Sequence, residues 1–225
     1  MGCDVTIMLT SFGGFPGARV NPTMAVAALA WRDAAPRLRR LGLRLVLANL
    51  PVVYGTVAGR LAHLYERHQP RAVLHLGLAG RRTAITPETR AVNRLSLLHV
   101  DASGRRAGHP AIDANGPHSL RATLPGARLL RAVRAGGAAA RLSRDAGDYV
   151  CNQVLYLSLR RAARQGALVG FVHIPRPRGN HPPRRQGVTA RPTLREMARA
   201  VTACLLDAAR LLRRQGRLPP GGARL

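Results

Sequence analysis

Asp4-Val5-Thr6-Ile7-Met8-Leu9-Thr10, closed by Phe12-Gly13-Gly14-Phe15-Pro16-Gly17, is a short β-branched and apolar run that ends in a glycine-rich loop. Such a run is too short for a helix and too apolar for a surface segment, so it reads as a buried strand feeding a loop. Asn21-Pro22-Thr23 then opens an alanine-rich stretch to Trp31 that reads as a helix. The same alternation recurs along the chain. Residues 43–50, 72–78 and 168–174 are strand-like and bounded by Gly or Pro, and residues 57–68, 152–165 and 194–214 are helix-like. Strands alternating with helices predict one α/β domain built on a largely parallel, twisted sheet.

The last helix is the best marked. Thr193-Leu194-Arg195-Glu196 forms a capping-box pattern, and Leu194, Met197, Val201, Leu205, Ala208 and Leu212 recur at helical spacing. Arg195, Arg199, Arg210 and Arg213 fall mostly on the other side. The expected organisation is a domain over residues 1–215, with an exposed Arg/Pro-rich loop at 176–192 and a tail at 216–225.

Composition narrows the class. The 225 residues carry 36 Lys+Arg against 10 Asp+Glu, a formal net charge of +26, at 46% hydrophobic content. That apolar fraction excludes a disordered basic tail as the whole molecule. Every one of the basic residues is arginine. The absence of lysine points to a coding bias, yet exchanging Lys for Arg conserves charge and leaves the shortage of carboxylates unexplained. A polyanion partner therefore stays open, with the 176–192 loop as the expected point of contact. No secretory signal pattern and no apolar run of membrane-spanning length is present, so a cytoplasmic location without membrane contact is the expectation. Cys3, Cys151 and Cys204 show no CxxC spacing, which disfavours a disulfide framework and a zinc site.

Three segments place reactive side chains where strands end. The run from Leu74 to Gly80 leads to Thr86-Pro87-Glu88, putting a carboxylate on a loop. Tyr149-Val150-Cys151-Asn152 puts a thiol at a helix start, where the dipole favours thiolate. Gly170-Phe171-Val172-His173-Ile174-Pro175 puts an imidazole at a strand end. Cys, His and a carboxylate are the parts of a thiol nucleophile, its base and the group that orients the base. Spacing alone does not separate this reading from an inert domain with a structural Cys and a core His. His75, His99, Cys3 and Cys204 keep the structural reading, and Arg39-Arg40, Arg105-Arg106 and Arg184-Arg185 read as solvated pairs.

The wording of these segments resembles the pyroglutamyl peptidase I (pyrrolidone-carboxylate peptidase) family over nearly the full chain. The likeness includes Phe12 and Phe15 with Asn21-Pro22, Leu50-Pro51-Val52-Val53-Tyr54-Gly55, Ile85-Thr86-Pro87-Glu88, Val150-Cys151-Asn152 and the strand carrying His173. It implies an α/β/α sandwich and a cysteine peptidase that cleaves the amide after an N-terminal pyroglutamate through an acyl-enzyme. Cys151 is then the nucleophile, His173 the base and later the acid, and Glu88 the orienting carboxylate, with no metal or cofactor. Phe12, Phe15, Asn21, Tyr149 and Val150 would meet the substrate. A homo-oligomer, often a tetramer, is implied as well.

The chain departs from the family pattern in three places. Leu78 replaces a glutamine, Leu98 an arginine, and Gly13-Gly14 an Asp-Pro, which predicts a looser loop. Arg94 or His99 is the expected substitute for the lost cation. Two alternatives follow: a hydrolase of another small N-acyl amide, and a catalytically idle homologue that binds polyanions.

Overall fold

The computed structural model describes residues 5–178 and 191–216. Cys3, Arg184-Arg185, the 179–190 part of the Arg/Pro-rich loop and the 217–225 part of the tail lie outside them. The described residues form twelve elements: β1 (Val5–Phe12), α1 (Pro22–Arg39), β2 (Leu43–Leu50), α2 (Tyr54–His68), β3 (Ala72–Leu78), β4 (Thr86–Glu88), β5 (Arg90–Val92), β6 (Ser119–Arg121), α3 (Gly126–Ala135), α4 (Val150–Gln165), β7 (Leu168–Ile174) and α5 (Leu194–Arg214). The main sheet has the order β2-β1-β3-β7-β4. Its first four strands are parallel, and β4 closes the far edge antiparallel to β7. β5 and β6 form a separate antiparallel pair.

Alternation along the strands sorts side chains into two cores. Ile7, Leu9, Leu74, Leu76, Val172 and Ile174 face a layer formed by α1, α3 and α5. Met8, Val73, Val169 and Phe171 face the opposite layer of α2 and α4. Because the period is two, His75, Gly77 and His173 fall on the α2/α4 side, and this decides where the chemistry lies. The predicted α/β/α sandwich is the observed architecture.

The element boundaries show where local signals sufficed. β2, β3, β7 and α5 coincide with the stretches expected from the sequence, and Thr193 and Glu196 make the reciprocal capping box. Arg195, Arg199, Arg210 and Arg213 are all exposed. Helix α1, by contrast, continues past Trp31 and through Pro36 to Arg39. A proline there costs a helical hydrogen bond, but Ala34 and Leu38 are fully buried on either side of it. Their burial outweighs the break. β4, β5 and β6 have three residues each, too few for a period to be counted. Helix α3 buries only Leu129, Ala132 and Val133 and is locked to α5 by a two-pronged pair from Arg128 to Asp207, at 2.7 and 2.9 Å. Among the described residues, no helix is long and apolar enough to cross a membrane.

Candidate active site

At the C-terminal ends of β3 and β7 a cavity of about 250 Å³ opens, a size suited to a small ligand. Phe12, Phe15, Asn21, Leu78, Arg82, Tyr149, Val150, Cys151 and His173 are among its lining residues. Loops meeting at strand C-termini are where α/β sheets bind ligands.

His173 is the sixth residue of β7 and is almost wholly buried. Its Nδ1 lies 2.8 Å from Glu88 Oε1. A carboxylate only accepts, so this contact puts the imidazole proton on Nδ1 and leaves Nε2 free as a base. Glu88 is on β4, not on a loop as the sequence suggested, and the pairing of Thr86 with His173 and Glu88 with Phe171 brings its carboxylate across the strand. Gly77, beside His173 on β3, allows this approach. A Cβ there would stand 2.6 Å from the Phe171 ring and 2.9 Å from His173.

Cys151 is the second residue of α4 and faces the same cavity. Among the described residues no hydrogen bond joins its thiol to His173. Burial, then the charge of Glu88, push the thiol up to about 12, while Arg82 draws it down. Burial therefore outweighs the helix N-terminus, which by itself favours the thiolate.

Arg82 is the residue sequence reading did not single out for a role. Its guanidinium, 22% exposed, pairs with Glu88 Oε1 at 2.5 Å and donates to Thr86 Oγ1 and, at 2.7 Å, to the Asp145 carbonyl. Burial raises the Glu88 pKa, but His173, Ser143 and Arg82 together outweigh it and hold the carboxyl below its ordinary value. The available signal was the position of Arg82 six residues before Glu88 on the same sheet-edge loop. Replacing Arg82 with Gln is expected to lower kcat/KM by about 10- to 100-fold and to slow iodoacetamide alkylation of Cys151 at fixed pH, since a charge-assisted bond is worth about 1.5–3 kcal/mol. Arg82→Lys should recover part of both losses. Unchanged alkylation would remove Arg82 from the electrostatics of the site.

The predicted substrate contacts divide. Phe12 and Phe15 line the cavity, Phe12 packing on Phe171 at 6.2 Å and Phe15 on Tyr149 at 6.0 Å. Asn21 also lines it, but its amide caps α1 through Thr23 N and donates to the Gly13 carbonyl, so its main work is to hold the loop. That loop is also tied by Gly13 N to Leu50 O, by the Phe15–Ala18 bridge and by Arg176 to the Gly17 carbonyl. The Val150 side chain is buried in the core, and what it can offer a ligand is its backbone. Tyr149 stacks edge-on with Tyr54 at 5.4 Å and donates its hydroxyl to the Val100 carbonyl at 2.9 Å. Tyr149→Phe should lower stability by about 0.5–1.5 kcal/mol, seen as a fall in Tm, and raise KM more than it lowers kcat.

Of the departures, Leu78 lines the cavity as expected. Leu98 is 81% exposed and outside the lining, as are Arg94 and His99, the latter facing Asp148 at 3.6 Å. The cation that the cavity does hold is Arg82. His75 is structural: buried, it contacts Thr10 and Ser158 at 2.7 and 2.8 Å, and burial alone pushes its pKa down to about 3. Cys204 is likewise a core thiol.

The family model for pyroglutamyl peptidase matches residues 5–206. The chain belongs to that family. Among its relatives, the pyrrolidone-carboxylate peptidase of Pectobacterium carotovorum is 35% identical over 173 residues, covering 76% of this chain and 78% of that one. A pyrrolidone carboxyl peptidase structure from Thermus thermophilus superposes with a TM-score of 0.74 at 35% identity over 88% of this chain and 98% of its own. A variant of the Pyrococcus furiosus enzyme gives 0.78 at 27% identity, over 92% of this chain and all of its own. Family membership carries the family's activity: the chain is a cysteine peptidase that cleaves after an N-terminal pyroglutamate.

Proposed function

We propose that Cys151, His173 and Glu88 carry this hydrolysis. The observation that supports it most directly is the His173–Glu88 contact at the wall of a cavity that Cys151 also lines. Cys151 Sγ attacks the pyroglutamyl carbonyl carbon while its proton passes to His173 Nε2. The developing oxyanion lies toward the first turn of α4, whose N-cap residue, Tyr149, supplies no side-chain acceptor to the free amides. The imidazolium then protonates the departing amine as the tetrahedral adduct collapses to a thioester. A water, deprotonated by the same nitrogen, attacks the thioester and releases pyroglutamate and thiol. Glu88 accepts the Nδ1 proton's hydrogen bond throughout and offsets the positive imidazolium, and Arg82 keeps Glu88 ionised.

The slot between Phe12, Phe15, Tyr149 and Leu78 suits a flat, uncharged lactam, and the carboxylate in its lining, Asp145, is engaged by the Gly147 amide. Turnover of pyroglutamyl-aminocoumarin against prolyl, acetyl and cyclopentanecarbonyl analogues tests this assignment. Preference for the lactam supports it; turnover of the others with none of pyroglutamate overturns it. Leu78 favours one refinement: the all-carbon cyclopentanecarbonyl amide should be tolerated, within about 10- to 200-fold of pyroglutamate, because an apolar wall discriminates weakly.

We also place the enzyme in the cytoplasm, where its thiol stays reduced, and as a homo-oligomer, tetrameric by resemblance. Exposed Leu97, Leu98 and Val100 on one loop support self-association. Light scattering should show assembly strengthened by salt, which screens the arginines.

A further inference from the structure

One groove is remote from the active-site cavity and shares no lining residue with it. It has a volume of about 740 Å³ and runs between α1, α3 and α5, on the outer side of that helical layer. Its walls carry Arg37, Arg128, Arg131, Arg199 and Arg210 against Asp33 and Asp207. Arg128 and Asp207 neutralise each other. A second hollow shares Asp33 and Arg199 with it and adds Arg32 and Arg195. Among the described residues, six of these guanidinium groups, all but that of Arg128, make no ion pair; Asp33 lies among them, and Glu196 is close enough to Arg199 to feel its charge.

Arginines unpaired on a convex surface are simply solvated. Here they converge on one groove from three helices that the core holds rigidly, and like charges held together leave a standing positive potential. A second copy of the chain, equally cationic, would be repelled from it. A single small anion would leave most of these groups unused, whereas a chain of phosphates matches several planar forks at once. No aromatic side chain lines the groove, so it offers no platform for unstacked bases.

We propose that the α1/α3/α5 groove binds the phosphate backbone of double-stranded nucleic acid without reading its sequence. Contact is made by Arg37, Arg131, Arg199 and Arg210, extended by Arg32 and Arg195. The peptidase cavity stays open while the duplex is bound.

The test is fluorescence anisotropy with a labelled 20-base-pair DNA duplex over a salt series. The wild type is compared with Arg37→Gln/Arg131→Gln/Arg199→Gln/Arg210→Gln, and with a control that removes equal charge from the opposite layer and β6: Arg60→Gln/Arg67→Gln/Arg121→Gln/Arg164→Gln. The wild type should bind with log Kobs falling linearly in log salt. The groove variant should lose about three to four from that slope, since each phosphate contact contributes ~0.9. The control should lose at most about one, and all three should hydrolyse pyroglutamyl-aminocoumarin equally. Absence of duplex binding, equal losses in the two variants, or binding of heparin with none of duplex would overturn the proposal. Equal activity in all three shows that the variants are folded, so a negative result counts.

Discussion

Cys151→Ala is expected to reduce kcat/KM for pyroglutamyl-aminocoumarin by at least about 10⁴-fold, some 5.5 kcal/mol of transition-state stabilisation. Without Sγ no thioester forms, and the imidazole of His173 and the amides of α4 have only a bound water to direct at the carbonyl. The fold should not notice the change, because the thiol faces a cavity and makes no hydrogen bond whose loss would strand a partner. Tm should therefore stay within a few degrees of wild type while substrate binding survives. Cys151→Ser should be almost as inactive, since a hydroxyl at this site is a far weaker nucleophile than a thiol. Activity in the alanine variant above about one part in a hundred would remove Cys151 from the reaction.

Glu88→Gln should damage both activity and stability. The amide can present its NH₂ group to His173 Nδ1, which favours the wrong tautomer and takes the proton-accepting role from Nε2; about a 10³- to 10⁴-fold fall in kcat is expected. The same change leaves Arg82 without its counter-charge at a residue that is 0% exposed, and losing one partner of a buried pair costs about 3–5 kcal/mol. Stability should also lose a pH dependence. The folded carboxyl sits below its ordinary value of 4.5, so Glu88 contributes fully above that value and its contribution disappears as pH falls through the depressed one. Urea titrations between pH 3 and 6 should therefore show a steeper acid loss in the wild type than in the variant. Parallel curves would mean that Glu88 is not held ionised by its neighbours.

Much of this was legible in the residues, and the rest failed for definable reasons. The strands at 43–50, 72–78 and 168–174 announced themselves because apolar β-branched runs ended at Gly or Pro. Helix α5 did so because its cap, period and arginine face agreed. The position of Glu88 could not be read, because Thr86–Glu88 is too short to show a period and becomes a strand only by pairing with β7. Cys151 and His173 were legible as types at the right kinds of position. Arg82 was not, because what it does depends on a turn that folds it back onto Glu88. Leu98 was misjudged through counting: sequence distance placed it beside the chemistry, whereas the loop carries it into solvent.

The antiparallel seating of β4 on β7 has a consequence for how the molecule is made. On the ribosome β4 emerges long before the strand it pairs with, and until Ile174 has left the exit tunnel Glu88 has neither sheet nor imidazole beside it. A chain interrupted between α4 and β7 thus holds an unpaired β3 edge and a thiol with no base. Synthesis itself keeps the nascent peptidase silent until its last strand arrives.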